Sequence, residues 1–254
     1  GVAPVSALRW PDGGGALFAG LPPGISAGFT TLDLVPDDLP ADDGARRFAR
    51  LLGVPAAPVA RLKQVHGAAV VEARGIAPGE VAVAGVADAV VTTERGLVVA
   101  VVTADCVPIV LADLEAGVLA AAHAGWRGTA ARVAEAALDA FEARGGSADR
   151  AWALFGPSIS RDRYEVGPEV LDALGGPVPD GAVVAGRGDR SWLDVAAYSE
   201  AALLRRGLRP ERIARPALCT FGPPIRFCSY RRDGERAGRI FTGAVLLPAG
   251  GPAR

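Results

Sequence analysis

Apolar residues in this chain gather in short continuous runs. AAVVE (68–72), ADAVVTT (87–93), LVVAVVT (97–103), VPIVLAD (107–113) and VLAAAHA (118–124) are each bounded by Gly, Pro or Asp. Runs of this length, rich in Val, predict strands, several of them buried on both faces. The spacing then changes. Val133, Ala137, Leu138 and Phe141 fall on one helical face and predict a helix over 130–144. Thr129 stands at its N-cap position and Gly145–Gly146 supply a stop. A second helix is expected at 192–206, closed by Gly207, with shorter ones at 167–174 and at about 45–53. Late strands are expected at 151–155, 213–218 and 238–247. The first 45 residues, Gly- and Pro-rich with an acidic loop PDDLPADDG (36–44), read as irregular. There is no internal repeat. Most strand connections are short, so neighbours are often antiparallel and the helices pack outside. The pattern predicts an α/β (α+β) sandwich of mixed sheets, a single domain over 1–254.

Composition narrows the function classes. With 254 residues, half of them hydrophobic, the chain can bury a sizeable core. Its 27 basic and 28 acidic residues leave a net charge of −1, with no excess to hold nucleic acid or a membrane surface. Three cysteines, Cys106, Cys219 and Cys228, are an odd count without framework spacing, which fits a reducing compartment. No basic-then-apolar leader opens the sequence. The longest apolar run, 97–106, is broken by Asp105 and is too short to span a bilayer. The expectation is a cytoplasmic protein, monomeric or homodimeric.

Rarity points to the chemistry. RLKQVHGAAV (61–70) contains the only lysine, Lys63, the only glutamine, Gln64, and one of two histidines, His66. The other histidine is His123, in AAHAGWRG, and between the two lies TADC with Cys106. Forty residues separate His66 from Cys106, and seventeen separate Cys106 from His123, so no local metal knuckle is present. All three, however, stand at strand ends beside tight turns, and strand ends at one edge of a sheet can converge. Two imidazoles and a thiolate match a catalytic zinc site with an open fourth position. Two other readings stay open: a buried apolar cysteine with two backbone-satisfied histidines, and a Cys–His nucleophile pair. GWRGT (125–129) reads as a Gly-flanked loop feeding the following helix. Its backbone N–H groups, the helix dipole and Arg127 would together seat an anion, or else the segment is an ordinary helix entry with a solvated Arg. Lys63, three residues before His66, lines the same cleft if the segment turns, and is otherwise a single exposed lysine. SYRRDG (229–234) offers Arg231 and Arg232 beside an aromatic, or else a charged hairpin tip.

The segments LKQVHG, ADAVVT, TADCVPIVLAD, AAHAGWRGT, GPSISRDRYEVG, CT and SYRRDG occur in that order between about residues 60 and 247. Together they resemble the YfiH-like laccase-domain family, purine nucleoside phosphorylases long labelled polyphenol oxidases. The resemblance implies a single-domain α/β sandwich, and a zinc ion held by His66, Cys106 and His123. It also implies phosphorolysis of adenosine, inosine, guanosine and methylthioadenosine, with deamination of adenosine. The chain departs from the family pattern in three places. GFTTLDL (28–34) replaces a serine-leucine-asparagine run, Arg163 precedes Tyr164 where a cysteine is frequent, and Cys228 precedes SYRR. These departures leave the three candidate ligands untouched and bear on substrate preference.

Phosphorolysis needs a positioned phosphate and a means to stabilise the departing base. Lys63, Gln64, Arg127 and Arg231 are the candidates for substrate and phosphate. Deamination by a zinc-activated water needs an acid/base carboxylate. Asp105, beside Cys106, is the candidate, either in that role or as an acceptor orienting a ligand histidine. Multicopper oxidation requires on the order of ten histidines, and the chain has two. A lone copper in the two-histidine, one-cysteine set lacks an axial Met, since the chain has none. The rival activity is a metal-free amidase on cell-wall precursors, with Cys106 as nucleophile and a histidine as base. A zinc-dependent structural or partner-binding domain is the non-enzymatic reading.

Overall fold

A computed structural model describes residues 7–11 and 13–248. In chain order the elements begin with β1 (Leu8–Arg9), β2 (Gly15–Phe18), β3 (Ile25–Thr30), α1 (Ala41–Leu51), β4 (Val59–Lys63), β5 (Val70–Glu72), β6 (Val81–Val86) and β7 (Ala89–Thr92). They continue with β8 (Val98–Thr103), β9 (Val107–Asp113), β10 (Val118–Ala124), α2 (Trp126–Ala130), α3 (Val133–Glu142), β11 (Trp152–Phe155), β12 (Glu165–Val166) and α4 (Pro168–Leu174). The last are β13 (Val183–Ala185), β14 (Ser191–Leu193), α5 (Val195–Arg205), β15 (Ile213–Ala214), α6 (Tyr230–Asp233) and β16 (Ile240–Leu246).

Two large mixed sheets face one another, ordered β1-β2-β3-β16-β8-β4-β6 and β15-β11-β9-β10-β7-β5, with a small sheet β12-β14-β13 beside them. The doubly buried runs explain the layering. On β8, Val99 and Val101 point between the sheets, where they meet Phe29, Val110, Leu119 and Ala121. The alternate residues Val98 and Ala100 pack outward with Phe48 of α1 and Phe241. On β9, Ile109 and Leu111 face the opposite outer layer, with Val133, Leu138 and Phe141 of α3 and Leu203 of α5. The result is helix, sheet, sheet, helix, as the expected mixed sandwich requires.

Close packing at Gly243 on β16 carries a stability prediction. A Cβ there would stand 2.0 Å from the Val99 carbonyl oxygen of the neighbouring strand. Gly243→Ala is expected to cost about 3 kcal/mol or more, read as a lower denaturant midpoint, because a backbone rather than a side chain must yield.

Some expected elements change. The N-terminal segment read as irregular carries β1, β2 and β3, and the helix expected near 45 already begins at Ala41. Glycines mask these strands in the pattern, because Gly15 and Gly28 sit where neighbouring atoms leave no room for a Cβ. The helix expected over 130–144 is broken. Arg132 adopts a left-handed conformation (φ 65°) between α2 and α3. Thr129, expected as a cap, therefore lies inside α2, which also takes up the GWRGT segment expected as a loop. The strand expected over 213–218 stops at Ala214, short of Pro216, which cannot donate to a ladder. SYRRDG forms the single turn α6, in which the Ser229 hydroxyl accepts from the Arg232 N–H at 3.3 Å. The three cysteines are free.

Candidate metal centre

Three connections cross from the first large sheet to the second at the same end of the sandwich. β4, β6 and β8 run parallel, and their C-terminal ends lead into β5, β7 and β9. His66 lies in the first crossing, Asp88 in the second and Cys106 in the third. β10 is antiparallel to β9 and brings His123 to the same end, opposite Pro108. His123 shares the alternation of Leu119 and Ala121, so it leaves the strand on the face between the sheets.

The expected trio does converge. One ligand atom from each of His66, Cys106 and His123 lies within 4.8 Å of the others. The two imidazole rings stand 4.8 Å apart between centroids at 74°. Tetrahedral zinc asks for about 3.3–3.6 Å between such atoms, so closure needs side-chain adjustment of about one ångström. The soft thiolate with two imidazoles is a donor set that fits zinc. Gly125 makes the approach feasible: a Cβ there would lie 2.9 Å from the Cys106 Sγ and 3.1 Å from the His66 Cδ2.

Asp88, not singled out from the sequence, organises this site. It is fully buried. Its Oδ2 accepts from the backbone N–H groups of Val65 (3.1 Å) and Gly67 (2.7 Å). Its Oδ1 accepts from the N–H of His66 (2.9 Å) and pairs with the Nδ1 of His123 at 2.8 Å. One carboxylate thus shapes the turn that presents His66, whose φ is 61°, and directs the Nε2 of His123 to the trio. Burial alone would raise its pKa, but bonds from His123, Gly67 and Val65 prevail and hold it below the usual carboxylate range. The sequence signal was an Asp inside the apolar run ADAVVTT, a position with no solvent to satisfy it.

Asp105, the candidate acid/base carboxylate, does not bond a ligand histidine. Its Oδ1 accepts from the Thr220 hydroxyl at 2.5 Å and its Oδ2 from the Arg231 backbone N–H at 2.6 Å. Its own carbonyl accepts from the Ile159 N–H at 2.9 Å. These bonds hold a residue with φ 87° and so fix the turn that presents Cys106. The orienting contact to a histidine belongs to Asp88. Gln64 likewise faces backbone. Its Nε2 donates to the Val102 carbonyl at 2.7 Å and its Oε1 accepts from the Val102 N–H at 2.8 Å. The side chain continues the β4–β8 pairing beyond the last backbone partners, Ala60 and Val99. Lys63 is exposed at the end of β4. Arg127 is exposed on α2, its guanidinium 4.2 Å from the Trp126 ring centre. Arg231 lies 4.8 Å from the Tyr164 ring centre and donates to the Glu165 carbonyl at 3.3 Å. Tyr164, absent from the sequence-based candidates, lies against that guanidinium. Burial pushes its phenol up to about 12, the Cys106 charge adds to that, and Arg231 opposes it.

Without a metal, the trio is an ion pair in waiting. Burial disfavours the Cys106 thiolate, yet hydrogen bonds from His123 and His66 prevail and bring its pKa down to about 7. Burial also disfavours a charged His123, but Asp88 and Cys106 carry it up to about 9. The thiolate is the reactive form, so alkylation of metal-free protein by iodoacetamide is expected to rise with pH through about 7. An ordinary thiol has its midpoint at about 8.5. Metal loading is expected to suppress that reaction, and a profile centred at the ordinary value would contradict the geometry.

Comparison with known proteins agrees with this architecture. Residues 33–247 match the family described as multi-copper polyphenol oxidoreductase laccase. A protein named adenosine deaminase RL5, from an unknown prokaryotic organism, is 37% identical over 227 residues, covering 85% of this chain and 86% of that protein. A purine nucleoside phosphorylase of Deinococcus radiodurans is 37% identical over 229 residues, covering 90% and 86%. The crystal structure of YlmD from Geobacillus stearothermophilus superposes with a TM-score of 0.80 at 26% identity, covering 95% of this chain and 99% of that one.

Proposed function

The chain belongs to the multi-copper polyphenol oxidoreductase laccase family, and on that premise we propose that it is a zinc-dependent purine nucleoside phosphorylase with adenosine deaminase activity. Adenosine, inosine, guanosine and methylthioadenosine are the proposed substrates, and the cytoplasm is the proposed compartment. The observation that carries the reading is the convergence of His66, Cys106 and His123 within 4.8 Å, in a chain whose relatives are named for these two reactions. The family's older description does not fit the composition. Two histidines fall far short of the on the order of ten that multicopper chemistry uses.

Phosphorolysis moves the glycosidic carbon from the purine to phosphate, through a transition state with a positive sugar and a base leaving with negative charge. Zinc held by His66, Cys106 and His123 would supply Lewis-acid polarisation. The rest falls to the chain. Arg127, Arg231 and Lys63 hold phosphate, and the guanidiniums suit its oxygens in bidentate contact. Tyr164, protonated up to about 12, stays a neutral donor across the working range and can hydrogen-bond the departing base. Asp88 keeps His123 in one tautomer. Asp105 holds the Cys106 turn against α6 through Arg231. Deamination would use the same purine seat but a different reacting atom: water adds at the purine C6 and the amino group leaves as ammonia, with the phosphate position uninvolved.

The test is product analysis on protein of known metal content. Free base that appears only with phosphate, and hypoxanthine or inosine from adenosine, are the expected results. No purine turnover by zinc-replete protein would refute the proposal. A second reading, a Cys106 nucleophile acting on amides, draws on the lowered thiol pKa of about 7. Protein purified with stoichiometric zinc and a protected Cys106 would refute that one.

A further inference from the structure

The two arginines of SYRRDG diverge. Arg231 is exposed and faces the Tyr164 ring, whereas Arg232 turns inward, its side chain 19% exposed. The Arg232 guanidinium is almost fully engaged. Its Nε and Nη2 grip the Asp233 carboxylate at 2.9 and 2.7 Å. Its Nη1 donates to the Thr220 carbonyl at 3.0 Å, and Nη2 also donates to the Phe227 carbonyl at 2.9 Å. One side chain thus pins both ends of the 220–227 segment, which leads into α6.

Those bonds decide where Arg231 stands. α6 is a single turn of four residues, and a helix that short has no stability of its own. Its placement comes from outside. The Ser229 hydroxyl caps it, and the Asp105 Oδ2 accepts from the Arg231 N–H at 2.6 Å. The Asp105 Oδ1 accepts from the Thr220 hydroxyl at 2.5 Å. Arg232 closes this path into a ring: from Asp105 to the Arg231 main chain, along to Arg232, across to the Thr220 carbonyl, and through the Thr220 hydroxyl back to Asp105. Asp105 and Thr220 are buried, so water does not compete for the bonds between them. The ring keeps α6 in register with the turn at Asp105 that presents Cys106. Outside the ring, the Arg231 side chain is braced by the Tyr164 face and one 3.3 Å bond to the Glu165 carbonyl, both weak restraints.

We propose that Arg232 is a positioning residue for phosphate: through the ring it sets the Arg231 guanidinium at a fixed place relative to the metal trio, without touching the ligand itself. The inference rests on the role proposed above for Arg231 in holding phosphate.

Calorimetric titration of the zinc-loaded full chain with inorganic phosphate tests it without turnover. Arg232→Lys keeps the charge, but one ammonium cannot span two carbonyls and a carboxylate. It is expected to bind phosphate about tenfold more weakly. Its zinc content is expected to stay that of wild type, because Arg232 bonds none of the three ligand residues. Thr220→Val opens the same ring at another bond and is expected to weaken phosphate as much, with little further loss in the double variant. Arg226→Gln is the charge control: its guanidinium lies over the Trp10 ring, away from the clamp, and phosphate affinity is expected to be unchanged. In phosphorolysis, Arg232→Lys is expected to raise KM for phosphate about tenfold and to leave kcat within about threefold. Wild-type affinity in Arg232→Lys, additive losses in the double variant, an equal loss in Arg226→Gln, loss of zinc from Arg232→Lys, or no phosphate binding by wild type would each overturn the proposal. Wild-type protein that binds phosphate yet turns over no purine would refute the functional reading alone, and the phosphate titrations would still decide this one.

Discussion

Asp88→Asn is expected to strip the metal centre while leaving all three ligands in the sequence. Both carboxylate oxygens accept from N–H groups: Oδ2 from Val65 and Gly67, Oδ1 from His66, with His123 Nδ1 on the same oxygen. An asparagine has one acceptor end. Whichever way its amide turns, an NH2 group faces donors at a position closed to solvent. Two consequences follow. Metal affinity should fall about 10- to 100-fold, because His66 loses its turn and His123 its orienting partner. Stability of the metal-free protein should fall by about 3 kcal/mol, since each buried donor left unpaired costs about 1–3 kcal/mol. Competition with a zinc chelator reads the first, and a urea midpoint the second. Unchanged metal retention in Asp88→Asn would show that this carboxylate is a bystander. The same experiment on Asp105→Asn should disturb purine turnover more than metal content, because Asp105 bonds Thr220 and Arg231 rather than a ligand histidine.

The second large effect is expected from a single methyl group. Gly125 has φ −74° and ψ 172°, a conformation open to any residue, so alanine there meets no backbone strain. The methyl would nevertheless stand 2.9 Å from the Cys106 Sγ and 3.1 Å from the His66 Cδ2, well inside contact distance. To admit it, the thiol or the imidazole must leave the arrangement that brings one candidate ligand atom from each of the three residues within 4.8 Å of the others. Gly125→Ala should therefore lower metal affinity at least about tenfold and purine turnover with it. The metal-free fold should lose only about 1–3 kcal/mol. Gly222→Ala is the control, since a Cβ there meets nothing within 4 Å. Full zinc content and activity in Gly125→Ala would mean that the trio does not close on a metal.

Much of the sandwich was legible because burial on both faces leaves a local trace. VPIVLAD and VLAAAHA are β9 and β10 to the residue, since a strand between two layers must be apolar at every position. The early strands were not legible. Gly15, Gly28 and their neighbours break the pattern, and the need for a missing Cβ is known only once the opposing backbone is in place. The break at Arg132 was hidden for a similar reason: residues on both sides keep a helical spacing, and one left-handed residue changes direction without changing composition. Gln64 is the only glutamine and stands two residues before His66. Its contacts are with the Val102 backbone, a partner 38 residues away that no local pattern predicts.

Taken alone, the order of residues determined the doubly buried valine runs, one amphipathic stretch after residue 130, and the candidate ligands, two histidines and a cysteine at strand ends. Those are local properties, set by alternation, by helical period and by what imidazole and thiolate can bind. The tertiary structure alone decided that three crossings share one end of the sandwich. It also decided that Asp88 rather than Asp105 meets His123, and that Gly125 must lack a side chain. A carboxylate's partner and a glycine's necessity depend on which distant backbones arrive beside them, and the parallel register of β4, β6 and β8 brings those backbones together.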